Sequence, residues 1–267
     1  MPVRKRFGQH FLHDRGIIGR IVEQIAPQAG QRFLEIGPGR GALTFALLKV
    51  LPELEAIEID RDLAAGLARD ARAEGRLRLH VADALDADFV GLRGAGARLR
   101  IIGNLPYNIS TPLLFRLIDQ RSAIEDIHVM LQKEVVERMT ARPGGKEYGR
   151  LSVMLAAYSR VQNLFDVGPG AFQPPPRVWS SVARLLPSAE PLFEIGDHAA
   201  LRTVVTAAFS HRRKTLKNAL QGLLDPSEID SCGIDPASRP GVLEPAQFGQ
   251  LALRWRRRQD AASIRTE

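Results

Sequence analysis

The chain has 267 residues, 45% of them hydrophobic, and a formal net charge of +7, which allows one large domain or two smaller ones and a sizeable core. Its single cysteine, Cys232, excludes an intrachain disulfide and a metal site built on cysteines. The sequence has no run of eighteen apolar residues and no apolar stretch behind the basic start "MPVRKRFGQHFL", so neither a membrane span nor a secretory signal is expected, and the reading is of a cytoplasmic globular monomer.

In chain order, "RFLEI" (32–36), "EAIEI" (55–59), "LRLHV" (77–81), "LRIIG" (99–103) and "IHVML" (127–131) read as strands. Between them, "ALTFALLKVL" (42–51) and "RDLAAGLARDA" (61–71) carry apolar residues at helical spacing. Such alternation predicts an α/β fold with a parallel sheet covered by helices on both faces. "TARPGGKEYG" (140–149) reads as a surface loop, and "VQNLFDV" (161–167) follows a further helical pattern. "GPGAFQPPPRVWSSVARLLP" (168–187) is Pro-rich and leads into a strand-like run. Beyond Pro187 the pattern is helical over 197–224 and 244–258, with a connector at 225–241. A boundary near 187–196 divides the chain into a first domain, 1–190, and a small all-helical domain, 191–267.

"FLEIGPGRGA" (33–42) is a strand, a glycine-rich turn and a helix start. Gly37, Gly39 and Gly41 let the backbone turn sharply and approach a ligand closely. The turn satisfies a dinucleotide pattern, so on its own it does not separate a nicotinamide or flavin from S-adenosylmethionine. Glu58 lies about twenty residues beyond Gly37, where a carboxylate grips ribose hydroxyls. Asp60 reads as the cap of the following helix. Asp83 has two open readings, a cap for the helix after it or an acceptor for an adenine amino group.

"NLPY" (104–107) stands at the end of the fourth strand, beside the glycine turn. The carboxyl ends of parallel strands face the ligand crevice. An adenine amine is a poor nucleophile because its lone pair is delocalised. The side-chain oxygen of Asn104 and the carbonyl of Leu105 can accept its two hydrogens and direct that lone pair at a methyl group. Pro106 stiffens the turn, and Tyr107 offers a stacking face. The reaction then depends mainly on positioning and in-line approach. An Asx-type turn closed by proline is the plain structural alternative.

With "RKRFGQHFL" (4–12), "EIGPGRGALT" (35–44), "EID" (58–60), "DAL" (83–85), "NLPYNISTPLL" (104–114), "LQKEV" (131–135), "FQPPPRV" (172–178), "FSHRRKTLKNAL" (209–220) and "GIDPASRP" (233–240) in order, the chain resembles the KsgA/RsmA family of small-subunit ribosomal RNA adenine N6,N6-dimethyltransferases. The resemblance implies a class I methyltransferase (Rossmann-like) domain, S-adenosylmethionine as donor, and two adjacent adenines in the 3′-terminal hairpin loop of small-subunit rRNA as substrate, within the assembling 30S particle. It implies cofactor contacts from His10, Leu12, Gly37, Gly39, Glu58, Asp83 and Asn104, catalytic positioning by Asn104, Leu105, Pro106 and Tyr107, and a stacking pair of Tyr107 and Phe172 around the target base. No metal is implied. Two residues depart from the family pattern: His10 stands where many relatives have Asn, and Trp179 where Asp is usual.

Arg212, Arg213 and Lys214, with Lys217, form a basic cluster at a helix start, suited to phosphates. A solvated face is the ordinary fate of such a run, but the resemblance favours RNA contact, with Arg4, Lys5 and Arg6 adding to the surface. Three rivals remain at this point. One is a large-subunit rRNA adenine N6-methyltransferase, which typically carries Ile in place of Leu105. Another is a ribosome assembly factor whose main role is binding. The last is a nicotinamide-dependent oxidoreductase, which leaves "NLPY" and the basic cluster unexplained.

Overall fold

The structure is a computed structural model that describes residues 10–211 and 213–264. Two compact units form: the chain up to Val136 with Val161–Pro187, and Glu137–Arg160 with the chain from Ser188 onward.

The first unit opens with β1 (Phe11–Leu12) and α1 (Arg15–Ile25). Asp14 caps α1 by accepting from the Ile17 amide. Then β2 (Arg32–Ile36), α2 (Ala42–Leu47), β3 (Leu54–Glu58), α3 (Arg61–Ala68), β4 (Leu77–Val81), α4 (Phe89–Arg93), β5 (Leu99–Asn104), α5 (Ser110–Asp119) and β6 (Ile124–Gln132) alternate. The chain passes through α6 (Lys133–Thr140) and α7 (Arg150–Ala156), and returns as β7 (Ser159–Val167), β8 (Phe172–Gln173) and β9 (Ser180–Pro187). Among the described residues, the central sheet has seven strands in the order β4-β3-β2-β5-β6-β9-β7. The first five run parallel, whereas β9 is antiparallel to β6. The five strands expected to be parallel are so, and two further strands make the whole sheet mixed. Its added strands are β7, which precedes the Pro-rich passage, and β9, which ends it; no α-helix lies between the two in the chain.

Ile21 and Ile25 of α1, Leu43 and Leu47 of α2, and Phe33 and Ile102 of the sheet share one buried cluster. Each such side chain contributes about 1.5–3 kcal/mol through burial. β5 lies close against β2 because Gly103 has no side chain. A Cβ there would stand 2.5 Å from the Ile36 carbonyl oxygen. That approach brings Asn104 beside the turn that follows β2.

The second unit contains α7 with α8 (His198–Ser210), α9 (Leu216–Ala219), α10 (Pro226–Asp230) and α11 (Pro245–Ile264). Residues 137–160, expected in the first domain, group here instead. Tyr148 explains why: its ring meets Phe209 edge-on and its hydroxyl donates to the Leu243 carbonyl at 2.8 Å. The expected single helix over 197–224 is instead α8, ending at Ser210, and α9, beginning at Leu216. The Leu216 and Lys217 amides donate to the carbonyls of Ser238 and Pro236 rather than to the preceding turn, so the helix restarts.

Candidate active site

A cleft of about 1080 Å³, its open mouth included, lies at the carboxyl ends of β2, β3 and β5 in the first unit. Gly37, Gly39 and Gly41 all have positive φ (68°, 57° and 82°), a conformation that glycine adopts without strain. The turn therefore bends as the sequence predicts.

Glu58 ends β3 and lines the cleft. One carboxylate oxygen accepts the Gly39 amide at 3.0 Å, the other the Asp60 amide at 2.9 Å. Burial raises its pKa, while those two amides pull it back down. A carboxylate has about four acceptor sites, so each oxygen keeps capacity for a ligand hydroxyl. Asp60 caps α3 through the Asp62 and Leu63 amides. Asp83 also lines the cleft, and its carboxylate accepts the Leu85 amide at 2.9 Å. It braces a turn rather than a helix, since the next helix is capped by Asp88.

Asn104 is oriented by its partners. Its side-chain nitrogen donates to the His10 carbonyl at 2.9 Å, which an amide oxygen could not do. The Asn104 side-chain oxygen is thereby left without a partner among the described residues. The Pro106 carbonyl accepts the Ile109 amide and the Ser110 hydroxyl, and no described donor reaches the Leu105 carbonyl. Leu105 lines the cleft although the residue is 1% exposed. The Tyr107 hydroxyl pairs with the Ser180 hydroxyl at 2.8 Å, and burial raises the phenol pKa.

His10, Phe11 and Leu12 reach the cleft because β1 pairs antiparallel with β8: Phe11 faces Gln173 and Leu12 faces Phe172. The His10 ring nitrogen Nδ1 lies 2.8 Å from the Pro174 carbonyl, and the ring stacks on Tyr107 with centroids 5.6 Å apart. That geometry corrects the expected stacking pair. Phe172 is 1% exposed, sits in the buried cluster and does not line the cleft, so its ring has no free face for a base. Pairing with Leu12 turns its side chain into the core.

Two contributors escaped the sequence reading. Glu35, in β2, is wholly buried beneath the cleft, accepts the Thr44 hydroxyl at 2.6 Å and has a pKa raised by burial to about 7. Its place one residue before Ile36 and the glycine turn was the available signal. Arg40 lies over the Phe11 ring at 4.3 Å, a contact made by tertiary folding alone. Of the basic cluster, Arg213 and Lys214 are exposed in the second unit and Arg212 lies outside the described residues, as do Arg4, Lys5 and Arg6. No group of three or more His, Cys, Asp or Glu able to hold a metal occurs among the described residues, and no described helix is long and apolar enough to cross a membrane.

The whole arrangement matches solved structures. A dimethyladenosine transferase from Plasmodium falciparum aligns with a TM-score of 0.79 at 25% identity, covering 94% of this chain and 98% of that one. The 23S rRNA methyltransferase ErmE aligns with a TM-score of 0.68 at 26% identity, covering 92% and 99%. The fold is that of a class I, S-adenosylmethionine-dependent methyltransferase. The ribosomal RNA adenine dimethylase family model matches residues 2–255, and the chain belongs to that family. It is 54% identical to the ribosomal RNA small subunit methyltransferase A of Nitrosococcus oceani, over 96% of this chain and 97% of the relative. It is 53% identical to the protein of the same name from Pseudomonas aeruginosa, over 93% of each.

Proposed function

We infer that this protein is a small-subunit rRNA adenine N6,N6-dimethyltransferase that modifies two adjacent adenines in the 3′-terminal hairpin loop, acting as a cytoplasmic monomer on the assembling 30S particle. The observation that carries this reading is the end of β5. There the Asn104 side-chain oxygen, freed by the amide's bond to His10, and the Leu105 carbonyl form a pair of acceptors beside the glycine turn. Two acceptors match the two hydrogens of an exocyclic amine.

The cleft fits the donor on its own chemistry. The positive-φ glycines leave backbone exposed at the turn, Glu58 keeps acceptor capacity for ribose hydroxyls, and Asp83 keeps an oxygen for an adenine amino group. His10 and Leu12 would close the cleft from β1. When bound, S-adenosylmethionine supplies an electrophilic methyl carbon and leaves as a neutral thioether. The chain's own task is then to hold the amine in line and exclude water, which positioning alone can accelerate greatly. Tyr107, anchored by Ser180, would stack the base once it leaves its own stack, a step that is cheapest in a loop. Arg212, Arg213 and Lys214 would hold RNA phosphates.

The test is methyl transfer from labelled donor to isolated unmethylated subunits, with the modified nucleotides mapped. Two dimethylated neighbouring adenines in the small-subunit hairpin are expected. Label confined to large subunits would assign the protein instead to the chemistry in the ErmE name. Full rescue of a deletion strain by Glu58→Ala would favour an assembly factor that mainly binds.

A further inference from the structure

Residues 177–179 form an exposed run bounded by buried Pro176 and buried Ser180. Trp179 is 54% exposed and Val178 44%, an apolar patch on the surface. Exposing an indole forgoes burial worth a few kcal/mol, and the indole is held in place. The Trp179 carbonyl accepts the Lys133 amide at 2.9 Å, at the end of β6. The six-membered ring rests beside Gly168, its Cη2 and Cζ3 atoms 3.7 and 3.8 Å from where a Cβ on that glycine would stand. A side chain at residue 168 would take up that space.

The location makes the indole informative. Ser180, the next residue, holds the Tyr107 hydroxyl at 2.8 Å, and Tyr107 lines the cleft. Two residues before Trp179 in the chain, Arg177 is an exposed cation. An exposed aromatic ring with a cation two residues away in the chain offers what single-stranded RNA binds: a face on which the base stacks and a charge that neutralises the phosphate.

Resting on the reading above, we propose that Trp179 is a stacking platform for a nucleotide flanking the target adenine, with Arg177 at its phosphate. Trp179 is a positioning residue. It holds the strand on the rim while the target base enters between cleft and Tyr107.

Stacking of this kind changes affinity about tenfold or more on alanine substitution. Trp179→Ala should therefore raise KM for unmethylated small subunits about tenfold and leave kcat at saturation unchanged, with Trp179→Phe restoring most of the loss. In a Trp255→Phe background Trp179 is the only tryptophan, and a single-stranded oligoadenylate RNA should quench its emission. An unchanged KM in Trp179→Ala, with the wild type active, overturns the platform and leaves the proposed function intact. Quenching by the oligonucleotide without any methyl transfer by the wild type overturns the proposed function and leaves the platform standing. A raised KM with no quenching assigns the patch to a protein of the particle and also overturns the platform.

Discussion

The two ends of the first unit's sheet handle buried charge in opposite ways. At the strand starts, Arg100 donates two hydrogen bonds to Asp126 at 2.8 and 2.9 Å, one to Gln31 at 2.7 Å and one to the Ile25 carbonyl at 2.8 Å. Arg100 and Asp126 are 5% and 3% exposed, and the pair's geometry leaves nothing for a ligand to satisfy. At the strand ends, Glu58 and Asn104 are each held by backbone groups on one side and left with acceptors on the other. A closed polar network specifies the packing of a core, whereas a half-filled one at the cleft is prepared to bind. The sheet is thus anchored at one end so that the other can carry incomplete hydrogen bonding at fixed positions.

Removing one partner of the closed end should have the largest effect. Asp126→Ala leaves Arg100 buried without its counter-charge, and a loss of about 3–5 kcal/mol in unfolding free energy is expected from urea denaturation. A loss below about 1 kcal/mol would mean that the pair is not the anchor. At the open end, Asn104→Ala should lower kcat for methyl transfer about 100- to 1000-fold while moving the urea midpoint little. A large stability loss there would erase the contrast between the ends.

A smaller effect comes from two buried titratable groups of opposite sign. Burial raises the Glu35 pKa to about 7 from its ordinary value near 4.5. It binds its proton more tightly when folded, so stability falls as pH rises through that window, by about 1.4 kcal/mol per unit at most. His128 lies at the closed end, with its Nδ1 3.7 Å from Asp126 and neither nitrogen hydrogen-bonded to a described residue. Burial lowers its pKa to about 4 from 6.5; Asp126 opposes the shift and Arg100 and Arg184 add to it. It is neutral when folded, so stability falls as pH drops through 6.5 toward 4. The slopes oppose one another where the windows overlap. Relative to wild type, Glu35→Gln should therefore show stability rising more steeply with pH between 4.5 and 6.5. His128→Leu should show the reverse. Urea midpoints across that range measure both, and parallel profiles for all three proteins would refute the opposition.

The smallest change expected is from Tyr107→Phe. It removes only the hydroxyl pair with Ser180, worth about 0.5–1.5 kcal/mol, and keeps the stacking ring. A rise in KM for RNA of a few-fold with little change in donor affinity is the outcome to look for. A collapse of activity would mean that the hydroxyl, not the ring, matters at the rim.

Much of the cleft was legible in the chain. Gly37 and Gly39, Glu58, Asp83 and Asn104 to Tyr107 stand at or just past strand ends, and all of them line one cleft. His10 and Leu12 join them, although no periodicity links residue 10 to residue 104; only the resemblance placed them there. Phe172 shows where such reasoning fails. The motif order named its ring, but which way a ring points depends on the strand partner.

The sequence alone determined the alternation of strand and helix, the sharp turn after β2, the cap at Asp60, and the polar groups at the end of β5. Each depends on the conformational preference of one residue or on hydrogen bonds within a few positions, and such rules act locally. Tertiary structure decided the antiparallel β9, the grouping of 137–160 with the helical unit, the orientation of Asn104 through His10 and the burial of Phe172. Those outcomes rest on contacts between residues far apart in the chain, where the partner that wins is the one that leaves the fewest buried polar groups unpaired.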